Sequence, residues 1–118
     1  AYLLDVRDPA EYAAGRFQDS RTAPGGQLVQ ATDRWIAVRG ARVVLVDDDG
    51  VRARMAGGWL REMGGGWEVH AYTAQPEELT ERGPPRPAEC PEAAAVPAVT
   101  IAPAGLSALL ASGGAEVV

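Results

Sequence analysis

Lysine is absent from this chain of 118 residues, so all eleven of its basic side chains are arginines. Chemistry that needs an ammonium group beside an acidic site is thereby excluded. Cysteine occurs once, at Cys90, which rules out an internal disulfide and agrees with a reducing, cytoplasmic setting. Histidine also occurs once, at His70, and no second residue stands at metal-ligand spacing from it, so no metal and no cofactor are expected. No apolar run approaches the length of a membrane span, and no signal peptide is visible. Because the chain opens on Ala1, a segment upstream of it is expected. The net charge is −5 and the isoelectric point about 4.8, which argues against a nucleic-acid partner.

What is present centres on Val43 to Met63, VVLVDDDGVRARMAGGWLREM. Four aliphatic residues, Val43–Val46, predict a strand covered on both faces, as in a parallel sheet. Asp47–Val51 then forms a tight loop, and a helix starts near Arg52. Ala56, Trp59, Leu60 and Met63 are its expected apolar face, and Gly64 its stop. A loop between a strand and a helix N-terminus is an anion cradle, since free N–H groups and the helix dipole converge there.

Upstream, Tyr2–Val6 predicts a short strand, and Asp8-Pro9-Ala10-Glu11 a helix start in which Glu11 reaches back to the cap. That helix stops at Gly15, with Arg16 an ordinary surface or loop residue. Gln18–Gly26 lacks periodicity and reads as a loop. A helix is expected over Gln27–Val38, with Leu28, Ala31, Trp35 and Val38 on one face. After Gly64-Gly65-Gly66 comes a strand, Trp67–Tyr72, alternating Trp67, Val69 and Ala71 against Glu68, His70 and Tyr72.

Six of the nine prolines fall between Thr73 and Ala98, so residues 74–98 read as a linker with one helical turn near Pro76–Glu81. Residues 99–118 then form a strand–helix–strand segment. Val99–Ile101 is extended, Pro103 opens a helix striped by Leu106, Leu109 and Leu110, and Gly113-Gly114 ends it. Ala115–Val118 begins another strand. Residues 1–73 are the domain proper.

The order strand, Asp47-Asp48-Asp49-Gly50-Val51-Arg52, helix resembles the Cys-x-x-Gly-x-Arg signature of rhodanese-like sulfurtransferase domains. Gly50 and Arg52 match, and Asp47 stands where that family has its nucleophilic cysteine. LLDVRDPAEYAAG resembles the family's first block, although Gly15-Arg16-Phe17 replaces its usual Gly-His-Ile. The resemblance spans Tyr2 to Tyr72 and implies an α/β fold, a doubly wound parallel sheet flanked by helices. It implies an active-site loop of Asp48, Asp49, Gly50, Val51 and Arg52 around Asp47, supported by Asp5 and Arg7.

A thiolate in such a loop accepts sulfane sulfur and passes on the persulfide. A carboxylate cannot carry a persulfide, but it is an anion of similar reach. Asp47 is therefore expected to fill the cradle itself, accepting N–H bonds from residues within Asp49–Arg52, while Arg52 and Arg54 neutralise Asp47–Asp49. The expectation is a silent module of a larger sulfurtransferase-like protein, with a small anion in the loop and neighbouring rhodanese repeats as partners. The alternative is an active thiosulfate or 3-mercaptopyruvate sulfurtransferase whose cysteine lies in another repeat. Cys90, among prolines and without an activating base, is not read as a nucleophile.

VVLVDDD also resembles the Mg²⁺-binding acidic pocket of receiver domains, but their mechanism uses a lysine that is missing here. A related phosphatase would need the missing cysteine. The rhodanese-like family places a strand and a helix before its Asp-Val-Arg strand, and Val99–Gly114 resembles them. Hence the chain reads as one period of a tandem array. The sheet face beside Leu3–Val6 is expected to be partly bare, with the Leu106–Leu110 helix covering it, in cis or as a swapped dimer.

Overall fold

The computed structural model describes residues 1–85 and 101–115. It divides into two compact units, Ala1–Arg86 and Pro87–Val118. The first holds a four-stranded, all-parallel sheet of order β2-β1-β3-β4. Its elements are β1 (Tyr2–Asp5), α1 (Pro9–Ala14), β2 (Arg21–Thr22), α2 (Gly25–Gln30), a 3-10 turn (Thr32–Arg34), β3 (Arg42–Asp47), α3 (Val51–Glu62) and β4 (Glu68–Thr73). The step from β1 to β2 runs one way along the sheet, and the later steps run the other. Right-handed crossovers therefore put α1 on one face and α2 with α3 on the opposite one.

The core lies between the sheet and the α2–α3 layer, where Leu4, Leu28, Val43, Leu45, Leu60 and Val69 are buried. Helix α3 was expected to bury Ala56, Trp59, Leu60 and Met63. It buries Ala53, Ala56, Gly57 and Leu60 instead, leaving Trp59 61% and Met63 47% exposed. Close approach to the sheet explains the rotated face. A Cβ at Gly57 would lie 3.3 Å from Val69 Cγ1 and 3.6 Å from Leu45 Cδ1, so only small residues fit beneath.

The helix expected over Gln27–Val38 is likewise shorter. It breaks at Ala31, at φ −138° and ψ 57°, and resumes as the 3-10 turn. Thr32 Oγ1 bonds the Leu28 carbonyl at 2.9 Å, the local side-chain bond that competes with a regular helix. Ile36 is buried and Val38 is exposed. Within the expected loop 18–26, Arg21–Thr22 pairs with Leu4–Asp5, a strand too short to show a period. On β4 only Val69 is buried, because this strand is the sheet's edge and Ala71 has no neighbour beyond it.

Two further corrections extend the domain past residue 73. Ala74 is buried and donates its N–H to the Asp47 carbonyl at 2.7 Å. The turn Pro76–Glu78 follows, held by the Tyr72 hydroxyl on Glu78 Oε1 at 2.6 Å. Arg16, expected at the surface, is only 6% exposed. Its Nε pairs with Glu81 at 3.2 Å, it donates to the Gly83 carbonyl at 2.8 Å, and its guanidinium lies over the Tyr12 ring. Arg16 thus fastens residues 81–83 to the end of α1, and the segment expected as linker is domain up to that point.

The opposite face of the sheet is covered unevenly. Register places Leu3, Val44 and His70 in one row and Asp5, Val46 and Tyr72 in the next. Phe17 packs edge-on against Tyr72 at 5.6 Å, and Asp5 and Val46 are buried. One strand step toward the N-termini, Leu3 and Val44 are half-buried and His70 is exposed. In the second unit, α4 (Pro103–Ala111) forms where Pro103 and the leucine stripe predict it. Val99–Thr100, Glu116–Val118 and Cys90 lie outside the described residues.

Candidate functional site

β3 delivers Asp47 to the carboxyl edge of the sheet, the end at which doubly wound folds bind ligands. The chain then turns through Asp48–Gly50 into α3. Gly50 caps that helix at φ 76° and ψ 0°, and a Cβ there would come within 2.7 Å of Thr73 Oγ1. Only glycine turns this corner without strain.

Asp47 is fully buried. Its Oδ1 accepts the Asp48 N–H at 2.8 Å and its Oδ2 the Ala53 N–H at 3.1 Å, while Arg52 Nε lies 3.4 Å from Oδ1. The donors are thus Asp48 and Ala53, either side of the Asp49–Arg52 span expected to supply them. Ala53 N–H is a free donor of the first turn of α3, pointing along the helix axis, and it reaches the carboxylate before the residues nearer to it in sequence. Burial opposes the Asp47 anion, but the Ala53 and Asp48 N–H groups outweigh it and hold its pKa below the ordinary aspartate value. Asp49 turns aside to accept the Val51 N–H at 2.8 Å.

Arg52 gathers three carboxylates. It pairs with Glu11 at 2.6 and 3.2 Å and with Asp48 at 3.1 Å, besides Asp47. The hydrogen bond to Glu11 is the main reason that its pKa is raised, and the same bond lowers that of Glu11. Glu11 also accepts the Asp8 N–H at 2.8 Å, so one side chain caps α1 and anchors α3. Nothing in the sequence signalled this second role, because Glu11 and Arg52 are brought together only by the crossover. Arg54, expected to share in neutralising the aspartates, is exposed and forms no ion pair among the described residues.

Asp5 and Arg7 form a buried pair beside this network. Arg7 Nε and Nη2 bond the Asp5 carboxylate at 3.0 and 2.7 Å, and Nη2 also bonds the Gly15 carbonyl at 2.7 Å. Its Nη1 comes within 3.7 Å of Asp48 Oδ2. Above the loop, a groove of about 410 Å³ opens between α2 and α3, walled by Val6, Pro24, Val29, Met55 and Trp59, with Arg52 at its rim. One oxygen from each of Asp47, Asp48 and Asp49 lies within 4.8 Å of the others. The Arg7 and Arg52 guanidiniums already neutralise two of these three carboxylates.

A parallel sheet with an acidic loop at the end of β3 is matched over residues 1–74 by the model of the rhodanese-like domain family. The chain belongs to that family. A crystal structure of thiosulfate sulfurtransferase from Pseudomonas aeruginosa is 54% identical to this rhodanese-like chain, with a TM-score of 0.65. The match covers 72% of this chain but 17% of that one, so this chain spans about a sixth of the solved protein. No curated protein matches. This is a domain of the sulfurtransferase family, and no described helix is long and apolar enough to cross a membrane.

Proposed function

We propose that this rhodanese-like domain is catalytically silent and serves as a structural or interaction module in a larger sulfurtransferase-like protein. The observation that carries the reading is the state of Asp47. It is a buried carboxylate, at the position the family pattern gives to cysteine, with both oxygens already accepting backbone N–H groups. An anion fixed there occupies the cradle that a persulfide would need. Nor can aspartate take up sulfane sulfur, so the loop is both filled and without a sulfur-accepting atom. The carboxylates that Arg52 pairs with also remove the cation that would otherwise attract an anionic donor.

A receiver-like Mg²⁺ site is disfavoured, since the guanidiniums neutralise the carboxylates that would bind the ion and the chain has no lysine. One second reading has support of its own. The solved relative is a thiosulfate sulfurtransferase of which this chain matches 17%. On that reading the intact protein transfers sulfur in the cytoplasm, through a cysteine in another repeat, and this domain braces it.

The test is a sulfur-transfer assay on the chain itself, with thiosulfate or 3-mercaptopyruvate as donor and cyanide as acceptor. No turnover above background is expected. Turnover that Cys90→Ser abolishes would overturn the proposal and reinstate Cys90 as a nucleophile.

A further inference from the structure

Two apolar surfaces in this chain have complementary shapes. The first is the open end of the sheet face opposite α3, where Leu3 and Val44 are half-buried side by side and His70 is exposed. Helix α1, six residues long, spans about 9 Å, and with Phe17 it covers only the end of that face near Val46 and Tyr72. The second is α4, PAGLSALLA, which carries no charged residue on any side. Leu106, Leu109 and Leu110 lie on one stripe and are 38–42% exposed, and Ile101 extends the stripe by lying over Gly105.

We infer that the Leu3–Val44–His70 face is a docking surface for α4 of a second copy of this chain, the two copies exchanging helices reciprocally. Nine helical residues span about 14 Å, which matches the roughly 13–20 Å of strands four to six residues long. A helix laid on a sheet is the ordinary way to close such a layer. The α2–α3 groove is a poorer seat for this helix, because Arg52 and Asp8 line it and an uncharged helix offers them no partner. Gly83 is still tied to Ala13, and α4 starts at Pro103. The intervening stretch of about twenty residues extends to roughly 60 Å at most, ample for reaching a neighbouring copy. Reciprocal exchange is isologous and closes as a two-fold dimer, satisfying both surfaces in both chains without leaving a free end for filament growth.

Light scattering coupled to size exclusion tests this on the full chain across a wide range of concentration. The mass should rise from that of one chain, 12.4 kDa, to that of two. L106E/L109E on α4 should halve it to the monomer value, and so should V44D on the sheet face, with H70E as the gentler substitution if V44D does not fold. Mixing the L106E/L109E and V44D chains should restore dimers, because one intact helix then meets one intact face. A monomer at every concentration overturns the inference, including one that L106E/L109E destabilises, which would mean that the helix covers its own sheet. A dimer that survives L106E/L109E overturns it too.

Discussion

Replacing Asp47 with alanine probes the loop most directly, because the carboxylate is buried and each oxygen holds a backbone group in place. The substitution leaves the N–H groups of Asp48 and Ala53 without acceptors in a site closed to solvent. Each buried unsatisfied donor costs about 1–3 kcal/mol, so the loss should be about 2–5 kcal/mol. That is a large share of the ~5–15 kcal/mol by which domains are stable. Arg52 adds little to the loss, since it keeps Glu11 and Asp48. With a urea m-value of roughly 1 kcal/mol/M for a unit this small, the unfolding midpoint should fall by about 2 M or more. Asp48→Ala is the control: its partly exposed side chain should cost under ~1 kcal/mol. The contribution also has a pH signature. Because the folded pKa of Asp47 is lowered, its stabilisation is complete above the unfolded value of about 4. It is lost as the pH falls through the lower folded value. The gap between wild type and Asp47→Ala should therefore be flat from neutral pH down to about 4 and narrow below that. An Asp47→Ala midpoint equal to that of Asp48→Ala, or a gap insensitive to acid, would refute the assignment of Asp47 to the cradle.

Two further predictions follow from the same geometry. Gly50→Ala forces a side chain into left-handed backbone and toward Thr73 Oγ1, and should cost about 1–2 kcal/mol, read as a lower melting temperature. Arg16→Met keeps the aliphatic stem but removes the bonds to Glu81 and the Gly83 carbonyl. Limited proteolysis should then cut the 74–83 segment several-fold faster, with a stability loss of about 1–3 kcal/mol; unchanged cleavage would show that residues 74–83 are held by other contacts.

Local patterning was enough to place the principal elements. Val43–Val46 read as a doubly covered strand and is central in the sheet; Pro9 and Gly15 bounded α1; Pro103 and the leucine stripe marked α4. These signals survive because proline, glycine and runs of aliphatic residues constrain the backbone wherever the segment ends up. The acidic loop was equally legible, since Asp47 to Arg52 are consecutive and their position between strand and helix is a local fact.

Tertiary structure decided which face of each element is buried and which distant groups meet. Trp59 looked like core by hydrophobicity, yet the helix sits too close to Val69 for anything larger than glycine at residue 57. Arg16 looked like surface, but a segment 65 residues away folds back and closes over it. Glu11 and Arg52 are 41 residues apart, and their pairing depends on the crossover that places α1 beside the start of α3. The physical reason is common to all three. Backbone preference is set by neighbours in sequence, whereas burial and ion pairing are set by neighbours in space, and only the assembled sheet brings those together.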